Sequence, residues 1–411
     1  MKLLSARWVV PIERPPIDEG ALALADDDTV LAVGTRAELR AEFPDAAEER
    51  AAGVLLPGLV NAHTHLEISH HAGAVAGGKG LFAWATALMG ARKADAPAQQ
   101  REGAATAAAA AVALGTAAVG DVGNSLAAAP GIGRAGLAGV LFHELFGSRE
   151  LATGDALADA ARERAEAGAD FAWPDRLAYV PAPHAPFSVG PELLARIFAA
   201  AAAAGRATSI HVAEDEDEVA LLRDGSGRWP ALLAGMGVDP ATRVPRKSPV
   251  AYLASLGAFQ TETPPLLVHM VHAGADDRRL AREAGATVVL CPRSNLHIGG
   301  RLPDAAAFVS EGGPLALGTD SLASVPDLSL WAEMATLAAH FPAVPAARWL
   351  DAATRGGARA LGLRGFGVLA PAARPGVLDV LVDDIAAPIE SLVHDPTPTL
   401  RWVTRGATHV G

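Results

Sequence analysis

Short apolar runs recur through the middle of the chain, each followed by a longer stretch rich in Ala, Leu, Arg and Glu. The runs are residues 55–65, 116–122, 139–145, 177–181, 208–212, 266–272, 287–291 and 315–318. A strand buried on both faces reads as a nearly continuous apolar run, whereas the intervening stretches hold the residue types that favour helix. The alternation therefore predicts βα units. Eight of them over about 300 residues are what a (β/α)8 TIM-like barrel of the α/β class requires. The Ala-rich stretches 104–113 and 199–204 fall where barrel helices are expected. At the two ends the pattern changes to short β-like runs between Pro, Asp and Gly turns, at residues 6–10, 21–25 and 29–33 and again at 377–382 and 400–404. A barrel closes on itself, so these flanks are expected outside it. They would form one small, discontinuous β-sandwich from residues 1–56 and 366–411, around a barrel of residues 57–365.

Composition narrows the function classes. Half of the 411 residues are hydrophobic, ample for a large core. Lys+Arg 34 against Asp+Glu 46 gives a net charge of −12, which leaves no basic footprint for nucleic acid or anionic lipid. Cys291 is the only cysteine, which excludes a disulfide framework and any multi-cysteine zinc site. Arg7, Glu13 and Arg14 interrupt the N-terminal apolar run before a signal sequence could form. The tract over residues 104–119 is Ala- and Gly-based and partitions poorly into lipid. A cytoplasmic protein acting on a small molecule is expected, with no membrane partner.

Barrel chemistry sits at the C-terminal ends of strands. The first run ends in His63 and His65, spaced so that both imidazoles share one face of a strand and reach one ion. Such a pair is weak evidence alone. The fifth run adds His211 and, three residues on, Glu214; the sixth adds His269 and His272; the eighth adds Asp320. A lone buried His is usually a core residue and a lone Asp usually a helix cap. Several strand ends carrying these types together argue for a metal-centred site instead.

The segments PGLVNAHTHLE, APHAPFSVG, HVAEDEDE, VHMVHA, CPRSNLHIGG and LGTDSLAS, in this order, resemble the amidohydrolase superfamily. More narrowly they resemble its cytosine-deaminase and triazine-hydrolase-related deaminases. The resemblance implies His63, His65, His211 and Asp320 as ligands of zinc or ferrous iron, with one position left for water. It further implies that His269 and Asp320 hold and deprotonate that water while Glu214 carries a proton to a substrate ring nitrogen. Lys occurs only at positions 2, 79, 93 and 247, so no lysine ends the fourth strand to bridge two metals. One divalent ion per chain is expected. The implied reaction is hydrolytic deamination of a cyclic amidine with release of ammonia, and the resemblance allows a homodimer.

Substrate is harder to read. Leu66-Glu67-Ile68-Ser69 followed by Phe82 and Trp84 resembles aminodeoxyfutalosine deaminases of menaquinone synthesis, with the aromatic pair one residue tighter. Phe82 and Trp84 could stack on a purine or pack a loop helix, and Glu67 could accept bonds from ribose hydroxyls or an amine. Glu144 and His184, ending the third and fourth strands, face the same mouth, and His184 resembles a substrate contact of the family. Arg149, Arg223, Arg228 and Arg293 are candidates for an acidic substituent, with Arg293 the best placed. Cys291 reads as packing, and the carboxylates after Glu214 as a helix start. The expected substrate is a 6-aminopurine nucleoside, aminodeoxyfutalosine foremost. The alternatives are a free base such as guanine or cytosine, a triazine-type ring, or a non-catalytic metal- and ligand-binding role.

Overall fold

The computed structural model describes residues 1–147 and 155–406; Arg149 lies outside the described residues. In chain order the strands are β1 (Lys2–Val9), β2 (Ile17–Leu24), β3 (Val30–Thr35), β4 (Ala47–Arg50), β5 (Val54–Pro57), β6 (Leu59–Thr64), β7 (Thr116–Gly123) and β8 (Ala138–Leu145). They continue with β9 (Leu177–Pro183), β10 (Ser209–Val212), β11 (Leu266–His269), β12 (Val288–Leu290), β13 (Leu315–Leu317), β14 (Val377–Val380) and β15 (Leu400–Thr404).

Strands β6 to β13 pair in parallel as two four-stranded sheets, ordered β6-β7-β8-β9 and β10-β11-β12-β13. The two sheets also meet at both margins. His211 N–H donates to His184 O at 3.0 Å, and Thr319 and Asp320 N–H both donate to His63 O at 3.0 and 3.1 Å. These joints lie at the strand ends that carry the histidines. Helices separate the strands, as the composition predicts. The helix Pro97–Ala113 buries Ala104, Ala107, Ala108 and Ala111, the spacing of a single helical face. The second Ala-rich stretch falls in the helix Pro191–Ala203 and its cap.

The run expected as one strand over residues 55–65 is divided in the structure. Pro57 ends β5 in the terminal sheet and β6 begins at Leu59. A Cβ at Gly58 would come within 2.7 Å of Ala117 Cβ and 2.8 Å of the Trp402 ring, so only glycine passes between the two sheets there. The sixth run is also shorter than expected. His269 and Met270 adopt φ of 75° and 53°, left-handed values that end the strand at the site.

Both chain ends share one seven-stranded sheet, ordered β15-β14-β5-β1-β2-β3, with β4 paired to β1. Alternation along β1 and β2 supplies two apolar faces. Leu4, Leu22 and Leu24 pack with Leu55, whereas Leu3, Ala21 and Ala23 pack under Leu39 and Phe43 of the helix Arg36–Glu42. That helix starts at Thr35, whose side chain and that of Glu38 cap each other's backbone N–H. Each fully buried leucine contributes about 1.5–3 kcal/mol from removal of apolar surface from water. Among the described residues, no helix is long and apolar enough to cross a membrane.

Candidate active site

His63 and His65 end β6, His211 lies on β10, His269 ends β11, and Asp320 follows β13. The fold brings all five together. His63 packs edge-on against His65 and His211 with ring centroids 4.9 Å apart in each pair, and lies 5.7 Å from His269. His63 is fully buried, and neither of its ring nitrogens has a hydrogen-bond partner. His211 Nδ1 is bonded to His184 O at 2.9 Å, which leaves Nε2 as the free nitrogen. That Nε2 lies 3.2 Å from His65 Nε2, and His65 Nε2 lies 3.7 Å from Asp320 Oδ1. Imidazole nitrogens gathered beside a carboxylate could hold a divalent cation. Three nitrogens and one oxygen suit zinc or ferrous iron.

The electrostatics agree. Burial, together with the neighbouring imidazoles, pushes His63, His65 and His269 well below the usual histidine range, so each presents a lone pair. Burial raises Asp320 against the opposing bond from Ser294, whose Oγ lies 2.5 Å from Oδ2. Burial, reinforced by Asp320, Glu218 and Asp215, pushes the Glu214 carboxyl well above its usual range. Its Oε2 sits 3.6 Å from His269 Nε2. Glu214 and Asn295 also line a cavity of about 290 Å³ that Lys79, Arg228, His272 and Arg301 share.

Four residues at the site have strained backbone. Ala213, His269, Met270 and Asp320 all have positive φ, between 52° and 75°. Such conformations cost on the order of 1–3 kcal/mol each in non-glycine residues and persist where the surroundings enforce them. Here they turn side chains at strand ends inward. Glu218 accepts from Ala213 and Glu214 N–H at 2.9 and 3.0 Å and holds the turn that presents Glu214.

The chain matches the amidohydrolase family over residues 54–376, and residues 24–46 match the bacterial imidazolonepropionase-like composite domain. The chain belongs to the amidohydrolase family. It is 34% identical over 350 residues to aminodeoxyfutalosine deaminase of Deinococcus radiodurans, covering 82% of this chain and 80% of that protein. It is 31% identical over 405 residues to a 5-methylthioadenosine/S-adenosylhomocysteine deaminase of Nitratidesulfovibrio vulgaris, covering 96% and 86%. The fold superimposes on Helicobacter pylori aminofutalosine deaminase in complex with methylthio-coformycin with TM-score 0.84 at 20% identity, covering 99% of each chain.

In this amidohydrolase the expected substrate contacts divide. Glu144 and His184 stay at the strand-end histidine cluster: His184 stacks on Phe146 and lies 5.2 Å from His211, and Glu144 Oε1 is 3.5 Å from His211 Nδ1. Three others are engaged elsewhere. Glu67 accepts from Arg92, from Asn124 N–H and from Ser125 N–H and Oγ, so its oxygens are spent on fixing the loop after β7. Trp84 is buried with Ile68, Val75, Leu88 and Ile298. Arg293 pairs with Asp327 at 2.7 Å and lies 3.7 Å from Glu333. Phe82 packs edge-on against Trp229, with the Arg228 guanidinium over its ring.

Sequence reasoning passed over Ser294, Asn295 and Asn124, and it read Glu218 only as part of a helix start, which it is. Asn295 places its amide nitrogen 3.0 Å from His269 Nδ1, and Asn124 donates to Glu144 at 2.8 Å. The pair Ser294-Asn295 directly follows Arg293 in the helix Pro292–Gly299, and successive residues on one turn serve different partners. Polar residues among the apolar ones of the CPRSN segment were the available signal.

Proposed function

We propose that this protein is a metal-dependent aminohydrolase that deaminates a 6-aminopurine nucleoside with a substituent at the 5′ position, aminodeoxyfutalosine first. The observation that carries the reading is the Glu214 carboxyl. It is burial-raised, sits beside His269 of the strand-end cluster and lines the adjoining cavity. Relatives named for three 5′-substituted nucleosides support the substrate class.

His63, His65, His211 and Asp320 would hold one ion per chain, zinc by the chemistry of its ligands. Bound there, it would lower the pKa of a coordinated water toward about 7. His269, with its ring fixed by Asn295, would orient that water and take its proton together with Asp320. Glu214, protonated, would donate to the ring nitrogen beside the carbon under attack, which is the task a raised carboxyl suits. The proton removed from the water would pass to the exocyclic amino group, which would then leave as ammonia from the resulting tetrahedral carbon. His184 and Glu144 would line the sugar side of the pocket, with Phe82 at the rim. Glu67, Trp84 and Arg293 would act by holding the loops in place.

The architecture that fits this reading is a closed (β/α)8 barrel over residues 57–365 with a terminal β-sandwich of residues 1–56 and 366–411. The backbone bonds between β9 and β10 and between β6 and the segment after β13 support closure. We further take the enzyme to be cytoplasmic and to act without nucleic acid, and its family resemblance allows a homodimer. The second reading, deamination of 5-methylthioadenosine or S-adenosylhomocysteine, is favoured by the 96% coverage of this chain by the Nitratidesulfovibrio relative.

The test is ammonia release from zinc-loaded protein on aminodeoxyfutalosine, 5′-methylthioadenosine, S-adenosylhomocysteine, adenosine, guanine and cytosine, with metal content measured in parallel. Preference for aminodeoxyfutalosine is expected. Turnover confined to guanine or cytosine, or none at full metal loading, would overturn the nucleoside assignment.

A further inference from the structure

A second cluster of ligating side chains lies away from the strand ends. His70 and His71 end the short 3-10 helix Leu66–His71, and Asp95 follows the helix Leu81–Arg92. The Nε2 atoms of both histidines converge on one carboxylate oxygen, at 3.0 Å from His70 and 2.8 Å from His71. Their rings lie 4.1 Å apart and are tilted by 42°. All three side chains are largely buried, 16%, 10% and 7% exposed.

Hydrogen bonding accounts for only part of this arrangement. His71 bonds to Asp95 Oδ1 and His70 Nε2 approaches the same oxygen, but His70 Nδ1 is buried without a hydrogen-bond partner. Asp95 Oδ2 is likewise buried and without a hydrogen bond, with Arg92 Nε 3.8 Å away. Two imidazoles and a carboxylate around a tetrahedral zinc ion, with bonds of about 2.0–2.1 Å, have their ligand atoms about 3.3 Å apart. The observed separations need to open by only a few tenths of an ångström. Burial raises the Asp95 carboxyl, and His70 and His71 lower it by more, so the oxygen ligand is ionised.

We propose that His70, His71 and Asp95 form a second divalent-cation site, selective for zinc-like ions and separate from the strand-end cluster. Its structural consequence follows from the elements it joins. The 3-10 helix continues directly from β6, which carries His63 and His65, while Asp95 sits between the helix bearing Phe82 and the helix Pro97–Ala113. An ion there ties the segment after the catalytic strand to the helix at the rim of the pocket. Gly103 keeps the third side close, since a Cβ there would come within 3.0 Å of His70 N.

The experiment is zinc stoichiometry by elemental analysis on full-length protein dialysed in excess zinc and then desalted, with thermal melting in parallel. Two ions per chain are expected for the native protein and one for the His70→Gln/His71→Gln variant. The near-isosteric Asp95→Asn is a second variant that keeps the fold, checked by circular dichroism, and should likewise fall to one. His211→Asn should lose the other ion and keep this one. Zinc should raise the melting temperature of the native protein more than that of the double variant. One ion in the native protein, or two retained in both cluster variants, overturns the proposal.

Discussion

Two glutamates, one in the terminal sheet and one at the strand ends, show two ways in which the protein treats a carboxylate. Glu48, on β4 of the terminal sheet, receives Ser5 Oγ at 2.6 Å and Arg36 and Arg40 at 2.5 Å each. Arg36, then Ser5 and Arg40, pull it down to about 2. Glu144, on β8, is buried at the strand ends, and burial lifts it to about 7 in spite of the Asn124 bond. One of its oxygens has no hydrogen-bond partner. The terminal sheet satisfies what it buries. The strand ends leave buried donors and acceptors open, at His63, Glu144 and Asn295. An unsatisfied buried polar atom is costly, about 1–3 kcal/mol, so a cluster of them marks a place where a ligand completes the bonding.

The sharpest way to break this contrast is to remove the proton from the open side while keeping its shape. Glu214→Gln should lower kcat by about 10²–10⁴-fold, the usual share of general acid catalysis. Metal content and substrate affinity should stay near native. Turnover kept within a few-fold would take the proton-transfer role away from Glu214.

Trp84 tests the other side of the division. Its side chain is 8% exposed and sits in an apolar cluster. Trp84→Ala should therefore cost about 3–5 kcal/mol of stability. KM, measured well below the melting transition, should be unchanged. A large rise in KM with little loss of stability would return Trp84 to the pocket.

That residue also shows what the sequence could and could not convey. The parallel strands were legible because burial on both faces leaves nearly continuous apolar runs, and the ligand candidates were legible because His and Asp interrupt such runs at their ends. The break at Gly58 was not legible. It depends on the approach of Ala117 and Trp402, which are distant in sequence. Glu67, Trp84 and Arg293 sit beside the signature residues and share their neighbourhood in sequence, but side-chain direction sends them to Arg92 and Asn124, to Ile298, and to Asp327. Asn295 was missed for the complementary reason. Asparagine at a helix start reads as a cap until the fold places it 3.0 Å from His269.

A smaller effect is expected where the open site is supported by a closed one. Asn295→Ala removes the amide that fixes the His269 ring, and losses of about 10–100-fold are typical of such supporting bonds. The loss should fall on kcat and shift the pH profile, since the ring is then free to present either nitrogen. A loss confined to KM would make Asn295 a substrate contact instead.

The smallest effect belongs to Glu48, and it is a matter of stability alone. Its folded-state value of about 2 lies below the ordinary 4.5, so ionised Glu48 favours the folded state. That contribution is complete above about pH 4.5, and it fades as the pH falls toward about 2, where the folded form also takes up its proton. Glu48→Gln should therefore melt lower than the native protein near neutral pH, with the gap narrowing as the pH is lowered through this window. Deamination kinetics should not move, because the groups that hold Glu48, namely Ser5, Arg36 and Arg40, all belong to the terminal sheet and its helix and none belongs to the strand-end cluster. A melting gap that stays constant with pH would show that the network around Glu48 works by packing rather than by charge. The terminal sheet would then satisfy its polar groups without relying on their ionisation.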